Sequence, residues 1–129
     1  MNVPKILVVD DDAESRNLLS EFLAANGYAV EAVGDGAAAR EELTRVSGYR
    51  VVIADLRMPK ESGLELLRYL RHQKSDHAII LMSSFISEAE RRQAQELGAR
   101  ALLDKPFRLM DLLHTVEEIA PTKPVAISP

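Results

Sequence analysis

Ile6-Leu7-Val8-Val9 running straight into Asp10-Asp11-Asp12 is the stretch that decides the fold of this chain. A short apolar run that stops abruptly at acid reads as a buried strand with a polar end. Three more runs repeat the device. Val51-Val52-Ile53-Ala54 meets Asp55, Ile79-Ile80-Leu81-Met82 meets Ser83-Ser84, and Ala101-Leu102-Leu103 meets Asp104 and then Lys105-Pro106-Phe107. As parallel strands of one sheet, all four would bring their polar ends out on one edge, where open α/β sheets bind ligands. Carboxylates, a hydroxyl and an ammonium gathered there suit a divalent cation and a phosphoryl group.

Helical patterns fill the spaces between the runs. Ala13 to Asn26 puts Leu18, Leu19, Phe22 and Leu23 on one face, with Gly27 as a stop. Ala29 to Val33 alternates apolar and polar residues as an edge strand does. Asp35-Gly36 opens a second helix through about Ser47, closed by Gly48. Val51 to Ala54 is apolar on both faces, which predicts a central strand. Ser62-Gly63-Leu64-Glu65 has capping-box spacing and starts a third helix carrying Leu64, Leu66, Leu67 and Leu70. Ser87-Glu88-Ala89-Glu90 repeats the box before a fourth helix ending at Gly98. Apart from Ala89, Ala94 and Leu97 this helix is polar, so weak anchoring is expected. A fifth, from about Leu109, shows Leu112, Leu113, Val116 and Ile119 on one face.

Five strands alternating with five helices through short connections make a doubly wound α/β domain with a parallel sheet. The expected domain covers residues 1–120. Pro121 to Pro129, with three prolines and no periodicity, reads as a flexible tail or the start of a linker.

Bulk properties narrow the function. The 129 residues suit one domain, and 47% hydrophobic with 28% charged content is that of a soluble globular protein. A net charge of −4 argues against direct nucleic-acid binding. The absence of cysteine removes disulfides, thiolate metal sites and thiol nucleophiles together. The N-terminus has no signal-peptide pattern, no stretch reaches the length of a membrane span, and a cytoplasmic setting is expected.

Each polar end also has an ordinary explanation. Asp12 reads as the cap of the first helix, and Asp10 and Asp11 as solvated acids. Asp55 before Leu56-Arg57-Met58-Pro59 reads as a turn starter, Ser83-Ser84 as a backbone-satisfying turn, and Lys105-Pro106 as a loop dipeptide. Jointly they change character, because acids, hydroxyl and ammonium occur in the order a single phosphoryl site needs.

At this point the chain, over about residues 4–120, resembles the receiver domains of two-component response regulators. The motifs are Ile6-Leu7-Val8-Val9-Asp10-Asp11, Asp55-Leu56-Arg57-Met58-Pro59 with Ser62-Gly63, Ser83, and Lys105-Pro106-Phe107. The resemblance implies a flavodoxin-like sheet of strand order 2-1-3-4-5. It implies Asp55 as phosphoacceptor from a sensor histidine kinase or histidine phosphotransfer protein. It further implies a Mg²⁺ ion held by Asp11, Asp10, Asp55 and the Arg57 backbone carbonyl, with Ser83 and Lys105 on phosphoryl oxygens and a cis Lys105-Pro106 bond. Transient homodimers through the face made by the fourth helix, fifth strand and fifth helix are implied too.

The chemistry supports the same roles. A carboxylate attacking a phosphoryl group meets charge repulsion that a cation offsets, and in-line transfer needs positioning more than a catalytic His or Cys. Afterwards the phosphoryl group recruits Ser83 and Lys105 and biases the loosely packed fourth helix.

Several positions depart from the family's pattern. Leu102 stands where receivers often carry a switching Tyr or Phe, Ser83 replaces the commoner Thr, and Ser84 replaces Ala or Gly and narrows access to Asp55. Arg57 and Phe85, each two residues past a site residue, are expected to hinder attacking water, unless they point to solvent or stack on each other. A haloacid-dehalogenase-like phosphatase would use Asp10-x-Asp12 but leaves Asp55 and Lys105 without a task. A flavin binder needs a hydroxyl- and glycine-rich loop where three aspartates stand, and an unphosphorylated module has no use for the full acid set. No output domain follows in the sequence, so a stand-alone receiver and the receiver part of a longer regulator both fit. The Asp55 to Pro59 stretch is similar to receivers that precede transcription-activating ATPase domains, an analogy that leaves the output open.

Overall fold

Alternate residues of each central strand feed opposite faces of one sheet, and this parity builds the molecule. The computed structural model describes residues 3–122. Its strands are β1 (Lys5–Val9), β2 (Ala29–Val33), β3 (Tyr49–Asp55), β4 (Ala78–Ser83) and β5 (Ala101–Asp104). Its helices are α1 (Ala13–Ala25), α2 (Gly36–Arg45), α3 (Gly63–His72), α4 (Glu88–Glu96) and α5 (Leu109–Ile119). The strands lie in the order β2-β1-β3-β4-β5, and all pairings are parallel. The expected tail lies almost wholly outside the described residues.

Ile6, Val8, Val51, Ile53, Ile80 and Met82 point to one face, where Leu19 and Leu23 of α1 and Leu112 and Val116 of α5 cover them. Leu7, Val9, Val52, Ala54, Ile79 and Leu81 point to the other, under Leu66, Leu67 and Leu70 of α3 and Ala94 of α4. Burial on both faces explains why these strands read as unbroken apolar runs. β2, at the edge, has no fully buried residue.

Caps set the helix starts. Asp12 accepts from the Ser15 N–H, Asp35 from that of Ala38, and Ser62 and Ser87 each close a reciprocal capping box. Four expectations need correcting. Leu18 is 55% exposed, because α1 meets the sheet through Leu19 and Leu23 and leaves Leu18 on the rim. Helix α2 ends at Arg45, where Val46 is already extended, and this releases Tyr49 to join β3 two residues earlier than expected. There the Tyr49 ring packs under the Lys5 ammonium, 4.5 Å from the ring centre, and its hydroxyl donates to Glu42. In α4, Ala89 is exposed, so Ala94 alone is buried.

Gly63 starts α3 directly against the end of β3. A Cβ there would lie 2.7 Å from the Asp55 carbonyl oxygen and 2.9 Å from Leu81 Cδ2. Backbone cannot yield as a side-chain tip can, so Gly63→Ala should lose about 1–3 kcal/mol, the cost of forcing atoms into a filled interior. Urea unfolding checks this, and an unchanged midpoint would show that α3 can back away freely.

Candidate functional site

The strands stay hydrogen-bonded to their last residues, which holds the polar ends in fixed register. The Asp10 N–H donates to Val33 O (3.1 Å), Leu56 N–H to Met82 O (2.8 Å) and Lys105 N–H to Ser83 O (2.8 Å). Asp10, Asp55, Ser83 and Lys105 therefore project from one edge on four adjacent strands.

Asp10 is buried, and one of its oxygens is fully engaged while the other is not. Oδ1 accepts from the Asp12 N–H at 3.0 Å, whereas Oδ2 is buried with no hydrogen-bond partner. Burial raises its pKa, with the Asp55 charge adding to the effect and the Asp12 N–H and Lys105 opposing it. Its backbone carbonyl accepts from Arg16 Nη1 at 2.8 Å, which braces the turn into α1. Asp11 is exposed, and Asp12 is occupied as a helix cap.

Asp55 Oδ1 accepts from the Arg57 N–H at 2.9 Å, and Oδ2 from Lys105 Nζ at 2.7 Å. Burial works against the Lys105 charge. The bond to Asp55 and the charges of Asp55, Asp10 and Asp12 outweigh it and raise the Lys105 pKa. The Lys105–Pro106 peptide bond is cis. Asp10, Asp11 and Asp55 each offer a carboxylate oxygen within 4.8 Å of the others. Three carboxylates facing one ammonium leave a net −2, and Asp10 Oδ2 is an acceptor with nothing to accept. Hard oxygen donors in this number and spacing fit a divalent cation.

The remaining sequence-chosen residues are placed differently. The buried Ser83 hydroxyl is engaged with Phe85, donating to its carbonyl (2.8 Å) and accepting from its N–H (3.2 Å). Ser84 is exposed, and Phe85 is 65% exposed. Leu102 is half-buried against the apolar cluster on the α3 and α4 side. Arg57 neither stacks on Phe85 nor points free into water. Its guanidinium donates to Glu90 at 2.6 and 2.7 Å and to the Phe85 carbonyl at 3.2 Å. Sequence reasoning missed Glu90, whose only signal was its place in a capping box. It also missed Glu61, buried in the β3–α3 loop and held by Arg40 of α2, which stacks on Tyr69 at 4.0 Å. Beside the acids lies a groove of about 440 Å³ lined by Asp11, Leu56, Arg57, Met58, Pro59 and Ser62.

The sequence pattern of the response regulator receiver domain matches residues 6–117 of this chain. The chain belongs to the receiver-domain family. Among relatives of this receiver domain, protein PetR of Rhodobacter capsulatus is 38% identical over 125 residues, covering 97% of this chain and 52% of PetR. Response regulator MprA of Mycolicibacterium vanbaalenii is 40% identical over 111 residues, covering 84% of this chain and 47% of MprA. The receiver domain thus spans about half the length of these relatives. A response regulator receiver protein from Pseudomonas putida superposes with a TM-score of 0.85 at 33% identity, over 92% of this chain and 98% of the other. The chemotaxis protein CheY4 of Vibrio cholerae gives 0.84 at 29% identity, over 92% and 99%. The five-stranded 2-1-3-4-5 sheet is therefore that of the family, and receiver domains work with histidine kinases and output domains. Among the described residues, no helix is long and apolar enough to cross a membrane.

The raised Asp10 pKa has a consequence for stability. A carboxylate disfavoured in the folded state makes folding less favourable once pH exceeds its unfolded value, and the penalty is complete above its folded value. Asp10→Asn should raise the urea midpoint at pH 7 in metal-free buffer, and the gain should vanish below the ordinary carboxylate range. A variant no more stable than wild type at pH 7 would contradict this.

Proposed function

We propose that this receiver domain accepts a phosphoryl group on Asp55 from a sensor histidine kinase or a histidine phosphotransfer protein, in the cytoplasm. The observation that carries the reading is the convergence on Asp55 of the Lys105 ammonium at 2.7 Å and of the Asp10 and Asp11 carboxylates. An Asp55 oxygen attacks phosphorus, an O–P bond forms, and the P–N bond of phosphohistidine breaks with its electron pair returning to the imidazole. The chain catalyses only its own phosphorylation and dephosphorylation.

The assigned cofactor is Mg²⁺, held by Asp10, Asp11, Asp55 and the Arg57 backbone carbonyl. When bound it offsets the charge repulsion between attacking carboxylate and phosphoryl group. The orphaned Asp10 oxygen supports that assignment. Lys105 neutralises Asp55 before transfer and follows the charge to a phosphoryl oxygen afterwards. The Ser83 hydroxyl exchanges the Phe85 carbonyl for another phosphoryl oxygen. Arg57, Ser84 and Phe85 border the acceptor and limit the entry of hydrolytic water. The switch passes from Ser83 to the face of α4, β5 and α5, with Leu102 half-buried behind it, and this face pairs transiently with a second copy or an output domain. With a net charge of −4 the chain itself suits protein partners better than nucleic acid.

Incubation with acetyl phosphate and Mg²⁺ should add one phosphoryl mass to the wild type by intact mass spectrometry, and none to Asp55→Ala or to wild type in chelator. A wild type that gains no mass would overturn the reading. Arg57→Ala and Phe85→Ala should each shorten the lifetime of the phosphorylated form severalfold, and unchanged decay in both would remove their assigned role.

A further inference from the structure

The first turn of α4 is tied to the acceptor loop through a fork of charged hydrogen bonds. Arg57 Nη1 donates to Glu90 Oε2 at 2.6 Å and Nη2 to Oε1 at 2.7 Å, a bidentate pair between residues thirty-three positions apart. The same Nη2 donates to the Phe85 carbonyl, which also accepts from the Ser83 hydroxyl. Glu90 in turn accepts from the Ser87 N–H at the cap of α4. Arg57 holds the Glu90 carboxyl below its usual pKa, burial opposing and Ser87 assisting.

Beyond this fork, the first turn has one longer and more exposed ion pair, Arg91 to Asp104 at 3.5 Å, and Ile86 packs just ahead of the cap. Ala94 is the one buried residue of α4. The far end is held separately, by Arg71 of α3 donating to the carbonyls of Leu97 (2.7 Å) and Gly98 (3.2 Å). The two ends of α4 thus have separate anchors, and of these only Arg57 is mounted on the acceptor loop.

We propose that the Arg57–Glu90 pair is a latch holding the first turn of α4 in its resting position, and that phosphorylation of Asp55 opens it, which rests on the acceptor role proposed above. A phosphoryl group carries nearly −2 where the Glu90 carboxylate carries −1. It arrives beside the loop on which Arg57 is mounted, and it draws the Ser83 hydroxyl away from the Phe85 carbonyl. Both changes act on the guanidinium that bridges Phe85 and Glu90. The guanidinium leaves Glu90 for the larger charge, and the first turn of α4 loses its tether. The two sites are thereby coupled through one side chain, and coupling is reciprocal. Weakening the latch from its Glu90 side must therefore strengthen binding of a phosphoryl group.

Glu90→Gln tests this, because Gln preserves the capping box while removing the charge. The probe is beryllofluoride with Mg²⁺, which mimics a phosphoryl group on a carboxylate. Glu90→Gln should bind it roughly two- to fivefold more tightly than wild type, the size of effect for a partly exposed ion pair. In the absence of the probe, amide hydrogen exchange over residues 88–91 should be faster in Glu90→Gln and in Arg57→Gln. Combining the two should add nothing to the exchange of either alone, and in the Arg57→Gln background Glu90→Gln should no longer tighten probe binding. Equal affinity in wild type and Glu90→Gln, or tightening that persists without Arg57, overturns the latch alone. A wild type that binds no beryllofluoride overturns the acceptor reading and the latch together.

Discussion

Carboxylates that fold into an interior resist the burial, and this resistance organises the receiver's working edge. Asp10 and Asp55 close two neighbouring strands and are both buried, with Asp11 within reach. Burying these carboxylates without partners costs free energy. They are held because the apolar strands behind them have register to themselves on both faces, and because each acid finds at least one fixed donor: the Asp12 N–H, the Arg57 N–H and the Lys105 ammonium. The charge left over is a deficit that a divalent cation and a phosphoryl group can each exploit in opposite ways. One relieves the crowding, and the other is drawn to the ammonium and the cation that crowding recruits.

Most of this was legible because it depends on local rules. Strand ends are visible where a both-face apolar run meets a polar residue, and Asp12, Ser62 and Ser87 announce helix starts by chemistry confined to one turn. The convergence of Asp10, Asp55, Ser83 and Lys105 followed from parallel topology alone. What escaped was decided by side chains meeting across long separations. Leu18 has the right spacing for the core but lies beyond the sheet that α1 covers. The Ser83 hydroxyl can turn toward the acceptor or toward its own loop, and only the loop's path shows that it grips Phe85. Arg57 facing Glu90 depends on how two loops approach each other, which no periodicity encodes.

The helices are unequally seated on the sheet. α1 and α5 bury five aliphatic residues between them, and α3 buries Leu64, Leu66, Leu67 and Leu70. α2 and α4 each bury a single apolar side chain, Ala39 and Ala94. Small side chains make few dispersion contacts, so a helix resting on one alanine is held mainly by polar bonds at its ends. Polar bonds of that kind trade partners with little change in packing, whereas interdigitated leucines do not. Of these two helices, α4 is the one bonded to the acceptor loop, through Arg57, so a change of charge there can act on it without disturbing the core.

Arg71 gives that outcome a direction. By gripping the Leu97 and Gly98 carbonyls it pins the C-terminal end of α4 to the end of α3 and, through His77, to the root of β4. A rod fixed at one end and freed at the other pivots; it does not slide. At 1.5 Å per residue the nine residues of α4 form a lever about 13 Å long. With the proposed latch open, displacement would grow along it from almost nothing near Glu96 to its largest value at Glu88. A partner lying across the exposed Glu88, Arg92 and Gln95 would read an angle, and the same contact would report both the size and the sign of the swing.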